Sequence, residues 1–252
     1  MTILVTGGTG LIGSALPKDE RFVLLSSKDL DLTNRQATID YFVKLKPKYV
    51  IHLAANVGGL YKNMNHKVEM FSDNMIMNLN VLEACHLANV KKVVSCLSTC
   101  IFPDQTSYPI TESMLHQGPP HSSNDAYAYS KRMLEVLSKS YQTQFDKNFI
   151  CVIPCNVYGP NDNFSLSDAH VIPALIHQAY LAKRDQKPFV IKGTGAPLRQ
   201  FIYSKDLAQL LLWSLFRYDE KDSIILASEF EYSIRDVALM IAEKFEITQD
   251  KS

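Results

Sequence analysis

A tyrosine and a lysine four residues apart could form an acid–base pair. Tyr127 and Lys131 stand in the segment Tyr-Ala-Tyr-Ser-Lys, inside a stretch with helical spacing. Residues four apart lie on one face of a helix, so the ammonium would lie near the phenol. A nearby cation lowers the pKa of a phenol, which would make Tyr127 a usable proton donor or acceptor near neutral pH. The same spacing elsewhere usually joins a packed ring to a solvated lysine. The neighbouring segments therefore decide whether this pair is catalytic or structural.

Ser98 lies at the end of a short apolar run, in the segment Ser98-Thr99-Cys100. In an open parallel sheet, ligands bind beyond the carboxyl ends of the strands. We therefore expect Ser98 to reach the same edge of the sheet as Tyr127 and Lys131.

A glycine-rich loop follows the first apolar run. Gly7, Gly8, Gly10 and Gly13 satisfy both the GxxGxxG and the GxGxxG patterns. Such glycines permit a tight turn, close approach of a pyrophosphate and close packing of a helix on the strand. The N-terminus of the helix that we expect after the loop would offer free N–H groups to the anion. The loop therefore predicts a dinucleotide site.

The end of the second strand indicates which dinucleotide binds. A fold that binds NAD places an acid there to accept from the ribose 2′-hydroxyl. This chain has Ser26, Ser27 and Lys28 instead, and hydroxyls with a cation suit a 2′-phosphate. The pattern favours NADPH, although Asp29 and Asp31 follow closely and keep NADH as an alternative.

The elements that must position these residues alternate through the first 155 positions. Short runs rich in Val and Ile predict strands at 3–6, 22–25, 49–54, 93–97 and 149–153. Helical spacing predicts helices at 11–16, 35–45, 67–88 and 126–145. This alternation is typical of right-handed βαβ units, and so of a Rossmann-type, doubly wound α/β fold with a parallel sheet.

The regular alternation of predicted strands and helices ends after residue 155. Loops are predicted at 156–163 and 192–197, with helices at 171–182, 206–216 and 234–245. We expect a cofactor-binding domain over 1–155 and a smaller substrate-binding region over 156–252, discontinuous with the first domain. Because the pattern stops at residue 252 without a closing element, we expect this second region to be truncated.

Composition excludes several classes of protein. The 26 basic and 26 acidic residues balance, which argues against binding to nucleic acid or an anionic membrane through bulk charge. No apolar run approaches the roughly 18 residues of a membrane span, and the N-terminus lacks the features of a signal peptide. The five cysteines form no CxxC pair and no zinc pattern. We therefore expect no metal and a cytoplasmic location.

The glycine loop, Ser98 and the Tyr127–Lys131 pair together resemble the extended short-chain dehydrogenase/reductase family. Five further segments, at 54–60, 97–103, 154–164, 170–175 and 199–203, resemble the members that act on GDP-4-dehydro-6-deoxy-D-mannose. The resemblance implies NADPH-dependent 3,5-epimerisation and 4-reduction of that nucleotide sugar to GDP-L-fucose. It covers nearly the whole chain.

The resemblance also implies residue roles. Tyr127 would protonate the alkoxide formed at C4, Lys131 would hold the nicotinamide ribose and tune Tyr127, and Ser98 would bond the carbonyl. Cys100 and His170 would be the base and the acid on opposite sides of the enolate during epimerisation. Thiols and imidazoles both exchange protons near neutral pH, and the ketone acidifies the neighbouring C–H bonds.

Binding residues are expected along the same edge of the sheet. The cofactor would contact Gly7, Gly8, Thr9, Gly10, Leu11, Ile12, Gly13, Ser27, Lys28, Leu53, Ala54, Ala55, Lys131, Pro154, Cys155, Asn156, Val157 and His170. The substrate would contact Asn156, Gln178, Lys192 and Arg199, with the Arg199 guanidinium on the diphosphate. Gln178 stands where the family has a basic residue, and Lys192 where it has a tryptophan.

The resemblance further implies a homodimer in which helices 67–88 and 126–145 of two subunits form a four-helix bundle. Two other functions stay open. One is a related nucleotide-sugar reductase or dehydratase, although a dehydratase normally carries an acidic pair where this chain has Ser98-Thr99-Cys100. The other is a non-catalytic regulator that binds the cofactor but has a shortened substrate region.

Overall fold

The computed structural model describes residues 1–247, which fold around a parallel sheet. The nine strands are β1 (Ile3–Thr6), β2 (Phe22–Leu25), β3 (Tyr49–His52), β4 (Lys92–Cys96), β5 (Asn148–Pro154), β6 (Asn156–Tyr158), β7 (Leu198–Tyr203), β8 (Ile224–Leu226) and β9 (Glu231–Ser233). Six of them form the main sheet in the order β2-β1-β3-β4-β5-β8, and all neighbours are parallel. The fold is the expected Rossmann-type α/β fold.

Helices cover both faces of this sheet. The seven α-helices are α1 (Arg35–Leu45), α2 (Leu60–Asn65), α3 (Lys67–Leu87), α4 (Asp125–Phe145), α5 (Val171–Asp185), α6 (Ser204–Phe216) and α7 (Ile234–Lys244). Helices α1, α3 and α4 pack on one face, where Leu4 of β1 points, and α6 packs on the other face against Ile3 and Val5. Both faces of the strands are therefore buried, which explains why their sequences are continuously apolar.

A smaller sheet lies beside the main one. Strands β6 and β7 are parallel, and β9 pairs with β7 in the antiparallel sense. Helices α5 and α7 pack together around Leu175, Val237 and Ala238. The expected truncation of this region is not confirmed: α5 and α7 enclose an apolar cluster of their own, while α6 and β8 pack with the main sheet. Positions 248–252 of the predicted region lie outside the described residues.

Two predicted elements, one after β1 and one after β5, differ from the structure. The helix expected at 11–16 is only a 3-10 turn at Gly13–Ala15. Pro17 has no N–H to continue a helix, and β2 begins only five residues later. The loop expected at 156–163 begins with strand β6, whose partner is the distant strand β7.

Two general features concern membranes and metals. Over residues 1–247, no helix is both long and apolar enough to cross a lipid bilayer. In the same part of the chain, no three or more His, Cys, Asp or Glu side chains are grouped so as to hold a metal ion.

A chain of buried polar groups crosses the core beside the end of β1. The Thr6 hydroxyl lies 2.7 Å from Nδ1 of His52, and Nε2 of His52 lies 3.0 Å from Oδ1 of Asn78. The Asn78 amide in turn donates to the Ser130 carbonyl oxygen at 3.4 Å. This arrangement needs a neutral imidazole that donates from Nε2 and accepts at Nδ1. Burial, reinforced by the nearby Lys131 charge, lowers the pKa of His52 to about 4.

The His52 imidazole makes stability depend on pH. Unfolded chains take up a proton on His52 near pH 6.5, but the folded protein does so only near pH 4. The free energy of unfolding should therefore fall by about 1.4 kcal/mol per pH unit as the pH drops through this range. Urea unfolding of wild type and of His52→Asn between pH 7 and pH 5 measures the difference.

The exposed His66 provides the control. His66→Asn should retain the wild-type pH dependence, whereas His52→Asn should lose about 2 kcal/mol less than wild type between pH 7 and pH 5. Parallel pH curves for wild type and His52→Asn would show that His52 is not held neutral.

Candidate active site

The glycine loop leaves no room for side chains on its inner surface. Gly7 has φ of +68°, and a Cβ placed there would lie 2.7 Å from the Ala54 nitrogen. A Cβ on Gly8 would lie 2.7 Å from Leu24, and one on Gly13 would lie 2.5 Å from the Gly7 oxygen. The loop therefore packs backbone against backbone at the carboxyl edge of β1. That cradle fits a dinucleotide pyrophosphate, although a 3-10 turn rather than an α-helix follows it.

The carboxylates after β2 accept hydrogen bonds from residues of their own turns. Asp29 Oδ2 accepts from the Ser26 hydroxyl at 2.6 Å and from the Ser26 amide at 2.8 Å, and these bonds lower the pKa of Asp29. Asp31 is held in the same way by Thr33, which also lowers its pKa. The exposed Lys28 ammonium has no hydrogen-bond or ion-pair partner within residues 1–247. A free cation beside occupied acids suits a 2′-phosphate.

Tyr127 and Lys131 lie in the first two turns of α4, and both are buried. The Lys131 Nζ lies 5.8 Å from the centre of the Tyr127 ring and donates to the Cys96 carbonyl at 2.8 Å. Burial lowers the pKa of Lys131 and raises the pKa of Tyr127 well above its usual value. The predicted lowering of the Tyr127 pKa is therefore wrong for this structure, since burial raises the pKa and the neighbouring Cys100 and Cys96 thiols add to that rise. Tyr127 stays protonated at neutral pH, as a proton donor must.

Ser98 and Cys100 lie on the turn that follows β4. Ser98 is extended and precedes the 3-10 turn Thr99–Ile101. Burial raises the pKa of the Cys100 thiol, while a hydrogen bond with Ser98 and the charges of Lys131 and Arg132 oppose that rise. Cys100 is partly exposed, and the other four cysteines are buried. Among the five cysteines, all within the described residues, Cys100 is thus the least enclosed.

His170 reaches the same edge of the sheet on a separate loop. It is exposed and immediately precedes α5. Two residues earlier, Asp168 Oδ1 accepts from the Gly59 amide at 2.9 Å, which anchors this loop to the segment that follows β3. Among the described residues, no hydrogen bond joins the imidazole to Cys100 or Tyr127. The structure thus unites four of the five predicted catalytic residues in one cluster and leaves His170 outside it.

The predicted substrate residues are spread over the C-terminal region. The Asn156 amide donates to the Gln200 carbonyl at 2.9 Å, and Arg199 Nη1 donates to the Leu198 carbonyl at 2.7 Å. Gln178 lies on α5, and Lys192 is exposed in the loop before β7. No direct contact unites these four side chains in the described structure, so their role stays a prediction.

Sequence reasoning missed Arg132, which directly follows Lys131. Its residue surface is 4% exposed, and its Nε donates to the Ile101 carbonyl at 2.6 Å. The available signal was a basic residue next to a predicted catalytic lysine. Spacing alone does not show that its guanidinium is buried against the turn that carries Cys100.

Comparison with known proteins defines the class first. Residues 3–227 match the NAD dependent epimerase/dehydratase family. The chain belongs to this family. The glycine cradle at the edge of the parallel sheet and the Tyr127–Lys131 cluster are consistent with a family that depends on a dinucleotide.

Within the family, the chain is similar to proteins named GDP-L-fucose synthase. It is 52% identical to GDP-L-fucose synthase of Dictyostelium discoideum, over 97% of this chain and 80% of that protein. It is 47% identical to a probable GDP-L-fucose synthase of Drosophila melanogaster, over 96% of this chain and 81% of that protein. A crystal structure of a GDP-L-fucose synthetase from Naegleria fowleri bound to NADP superposes with a TM-score of 0.92 at 49% identity, covering 98% of this chain and 78% of that one.

Two alanine substitutions should separate packing from cofactor binding in the glycine loop. Gly13→Ala places a methyl group against backbone, so it should lower the free energy of unfolding by about 1–3 kcal/mol. Gly10→Ala meets only the Gly7 oxygen, at 3.4 Å, so stability should stay near wild type. It should nevertheless weaken NADPH binding at least tenfold, since Gly10 is where the pyrophosphate approaches the backbone.

Thermal unfolding without cofactor and a fluorescence titration with NADPH measure the two effects. A Gly10→Ala variant that binds NADPH as wild type does would place the pyrophosphate elsewhere.

Proposed function

We propose that this protein uses NADPH to convert GDP-4-dehydro-6-deoxy-D-mannose to GDP-L-fucose, by epimerisation at C3 and C5 and reduction at C4. The observation that carries the proposal is the cluster of Ser98, Cys100, Tyr127 and Lys131 at the carboxyl edge of β4. A protonated phenol and a thiol in one cluster would serve both reactions. The relatives named GDP-L-fucose synthase and the neighbour bound to NADP support it.

The chain's own residues fit NADPH. The glycine cradle would hold the pyrophosphate, Ser27 and Lys28 the 2′-phosphate, and Lys131 the nicotinamide ribose. When bound, the reduced nicotinamide supplies a hydride to C4. The segment from Pro154 to Val157 and the residues Leu53, Ala54 and Ala55 end the central strands and would line the same site.

Reduction at C4 needs a donor and an orienting group on the carbonyl oxygen. The Tyr127 hydroxyl is protonated because burial keeps its pKa high, so it can give its proton to the developing alkoxide. The Ser98 hydroxyl would donate a hydrogen bond to the same oxygen and orient it.

Epimerisation inverts C3 and C5, which flank the C4 ketone. At each carbon a base removes the C–H proton, the electron pair passes into the enolate, and an acid returns a proton to the opposite face. Cys100 would act as the base; burial raises the pKa of its thiol, and Ser98, Lys131 and Arg132 oppose that rise. His170, on the separate loop before α5, would supply the acid.

The remaining expectations belong to the same proposal. Residues 1–155 would bind the cofactor and 156–252 the sugar nucleotide, with α6 and β8 returning to the main sheet. Arg199 would pair with the diphosphate, and Asn156, Gln178 and Lys192 would contact the substrate. A cytoplasmic location fits, because Cys100 must stay a reduced thiol to exchange protons.

The homodimer is supported by an apolar surface on α3 and α4. Ile76, Leu79 and Val136 are between 42% and 46% exposed. Leu79 and Val136 line a mostly apolar groove of about 190 Å³ between these helices. Pairing two copies of this face would bury it in a four-helix bundle.

Charge on this surface should dissociate the dimer. Leu79→Arg places a guanidinium in the apolar groove, so the variant should sediment as a monomer at micromolar concentration, where wild type sediments as a dimer. Val190→Arg, an equally drastic change on an exposed loop, should remain dimeric. A wild-type protein that sediments only as a monomer would exclude the dimer.

Turnover of the nucleotide sugar in deuterium oxide tests the function. Wild type should consume NADPH on addition of GDP-4-dehydro-6-deoxy-D-mannose, and NMR should show GDP-L-fucose with deuterium at C3 and C5. Reduction without inversion would identify a plain 4-reductase. NADPH binding without turnover would favour the regulator.

The Cys100→Ser variant tests the epimerisation base. Deuterium uptake at C3 and C5 should fall at least a hundredfold, because a hydroxyl is a far weaker acid than a thiol, while NADPH affinity stays unchanged. Cys151→Ser is the matched control, since Cys151 bonds to the Ser138 hydroxyl in the core and a serine can keep that bond. Unchanged deuterium uptake in Cys100→Ser would remove Cys100 from the mechanism.

A further inference from the structure

We propose that Arg132 is a positioning residue: it holds the turn that carries Ser98 and Cys100, and it stabilises the Cys100 thiolate. The role assigned to Cys100 rests on the proposed function. The contact between Arg132 and the turn stands independently of it.

The two consecutive cations of α4 hold the chain on both sides of the reactive segment. Lys131 Nζ donates to the Cys96 carbonyl at 2.8 Å, and Arg132 Nε donates to the Ile101 carbonyl at 2.6 Å. These two carbonyls bracket Leu97–Cys100, which contains every reactive group between β4 and the loop that follows. Both cations are nearly inaccessible, at 2% and 4% exposed. The segment is therefore fixed to the helix that carries Tyr127.

The Arg132 charge is only partly compensated where it lies. Its Nη2 is buried without a hydrogen-bond partner within residues 1–247. The Tyr129 ring lies 5.5 Å from the guanidinium carbon and offers a π face rather than a negative charge. No acidic side chain forms an ion pair with Arg132 in the described structure. A buried cation without a counter-ion is unfavourable by itself and favours an anion nearby.

Two groups that can become that anion interact with the Arg132 charge, the Tyr129 phenol and the Cys100 thiol, and a thiol ordinarily ionises at the lower pH. The groups that interact electrostatically with the Cys100 thiol are Ser98 on the same turn and Tyr127, Lys131 and Arg132 on α4. Tyr127 is neutral and Ser98 donates a hydrogen bond, so the two α4 cations are the only charges among them. Ionising Cys100 would place a negative charge beside two uncompensated positive ones.

A guanidinium suits this task better than an ammonium. Arginine presents several N–H groups in a rigid fork, so Nε can hold the Ile101 carbonyl while the far end of the group faces elsewhere. A lysine at this position would keep the positive charge, but its single ammonium could not bond the Ile101 carbonyl and also present N–H groups on a second side.

Alkylation of Cys100 by iodoacetamide as a function of pH tests the proposal without any substrate. The rate follows the thiolate fraction, and peptide mass spectrometry assigns it to Cys100. In Arg132→Gln the apparent pKa of alkylation should rise by about one unit, which means a roughly tenfold slower reaction below that pKa. Arg132→Lys should restore the wild-type profile, and the exposed Arg184→Gln should not alter it.

Deuterium uptake at C3 and C5 supplies the second readout. Arg132→Lys should take up deuterium at least tenfold more slowly than wild type with unchanged NADPH affinity, because the turn loses its forked anchor. This comparison also applies if Arg132→Gln fails to fold, which alkylation of all five cysteines would reveal.

An unshifted alkylation profile in folded Arg132→Gln would overturn the electrostatic role. Wild-type deuterium uptake in Arg132→Lys would overturn the anchoring role. If wild type itself does not turn over the sugar, the proposed function fails, yet the alkylation profile still decides the contact between Arg132 and Cys100.

Discussion

The active-site cluster depends on two buried cations bonded to backbone carbonyls. Lys131 and Arg132 are consecutive residues of α4; Lys131 donates to the carbonyl of Cys96 at the end of β4, and Arg132 donates to the Ile101 carbonyl in the turn that follows. Burying a cation is unfavourable unless it is hydrogen-bonded. These two hydrogen bonds can form only while α4 packs tightly on the sheet. The helix and the turn therefore form one rigid unit, and Ser98, Cys100 and Tyr127 keep their mutual positions.

The same packing sets the chemistry of the side chains. Burial keeps the Tyr127 phenol protonated and the Lys131 ammonium less basic than in water. His52, behind the cluster, stays neutral because it is enclosed and lies near Lys131. A neutral imidazole there leaves the two cations of α4 as the positive charges of the site. The proton donor, the thiol and the cations thus owe their states to one buried helix face.

Much of this fold could be predicted because its signals are local. The strands at 3–6 and 22–25 and the helix at 35–45 have the predicted bounds, since continuous apolar runs and helical spacing are visible in a short window. Strands β6 to β9 could not be predicted, because each becomes a strand only when a distant segment pairs with it. The glycine loop was recognisable, but the missing helix after it follows from Pro17 and the early start of β2.

The site shows the same division. The residues that resemble a family motif were predicted by position, and the structure brings Ser98, Cys100, Tyr127 and Lys131 together. Their proton affinities could not be predicted, because burial decides them: spacing favours a low Tyr127 pKa, and enclosure raises it. Arg132 was invisible for the same reason, since only the fold shows that its guanidinium is enclosed beside Cys100.

The central claim is that the rigid cluster formed by α4 and the turn after β4, together with His170, performs both reactions on a single bound sugar. A crystal structure with NADP and GDP-L-fucose tests it most directly. We expect the C4 oxygen within hydrogen-bond distance of the Tyr127 and Ser98 hydroxyls, with Cys100 and His170 on opposite faces of the sugar ring. A sugar held away from Tyr127, or Cys100 and His170 on the same face of the ring, would contradict the account.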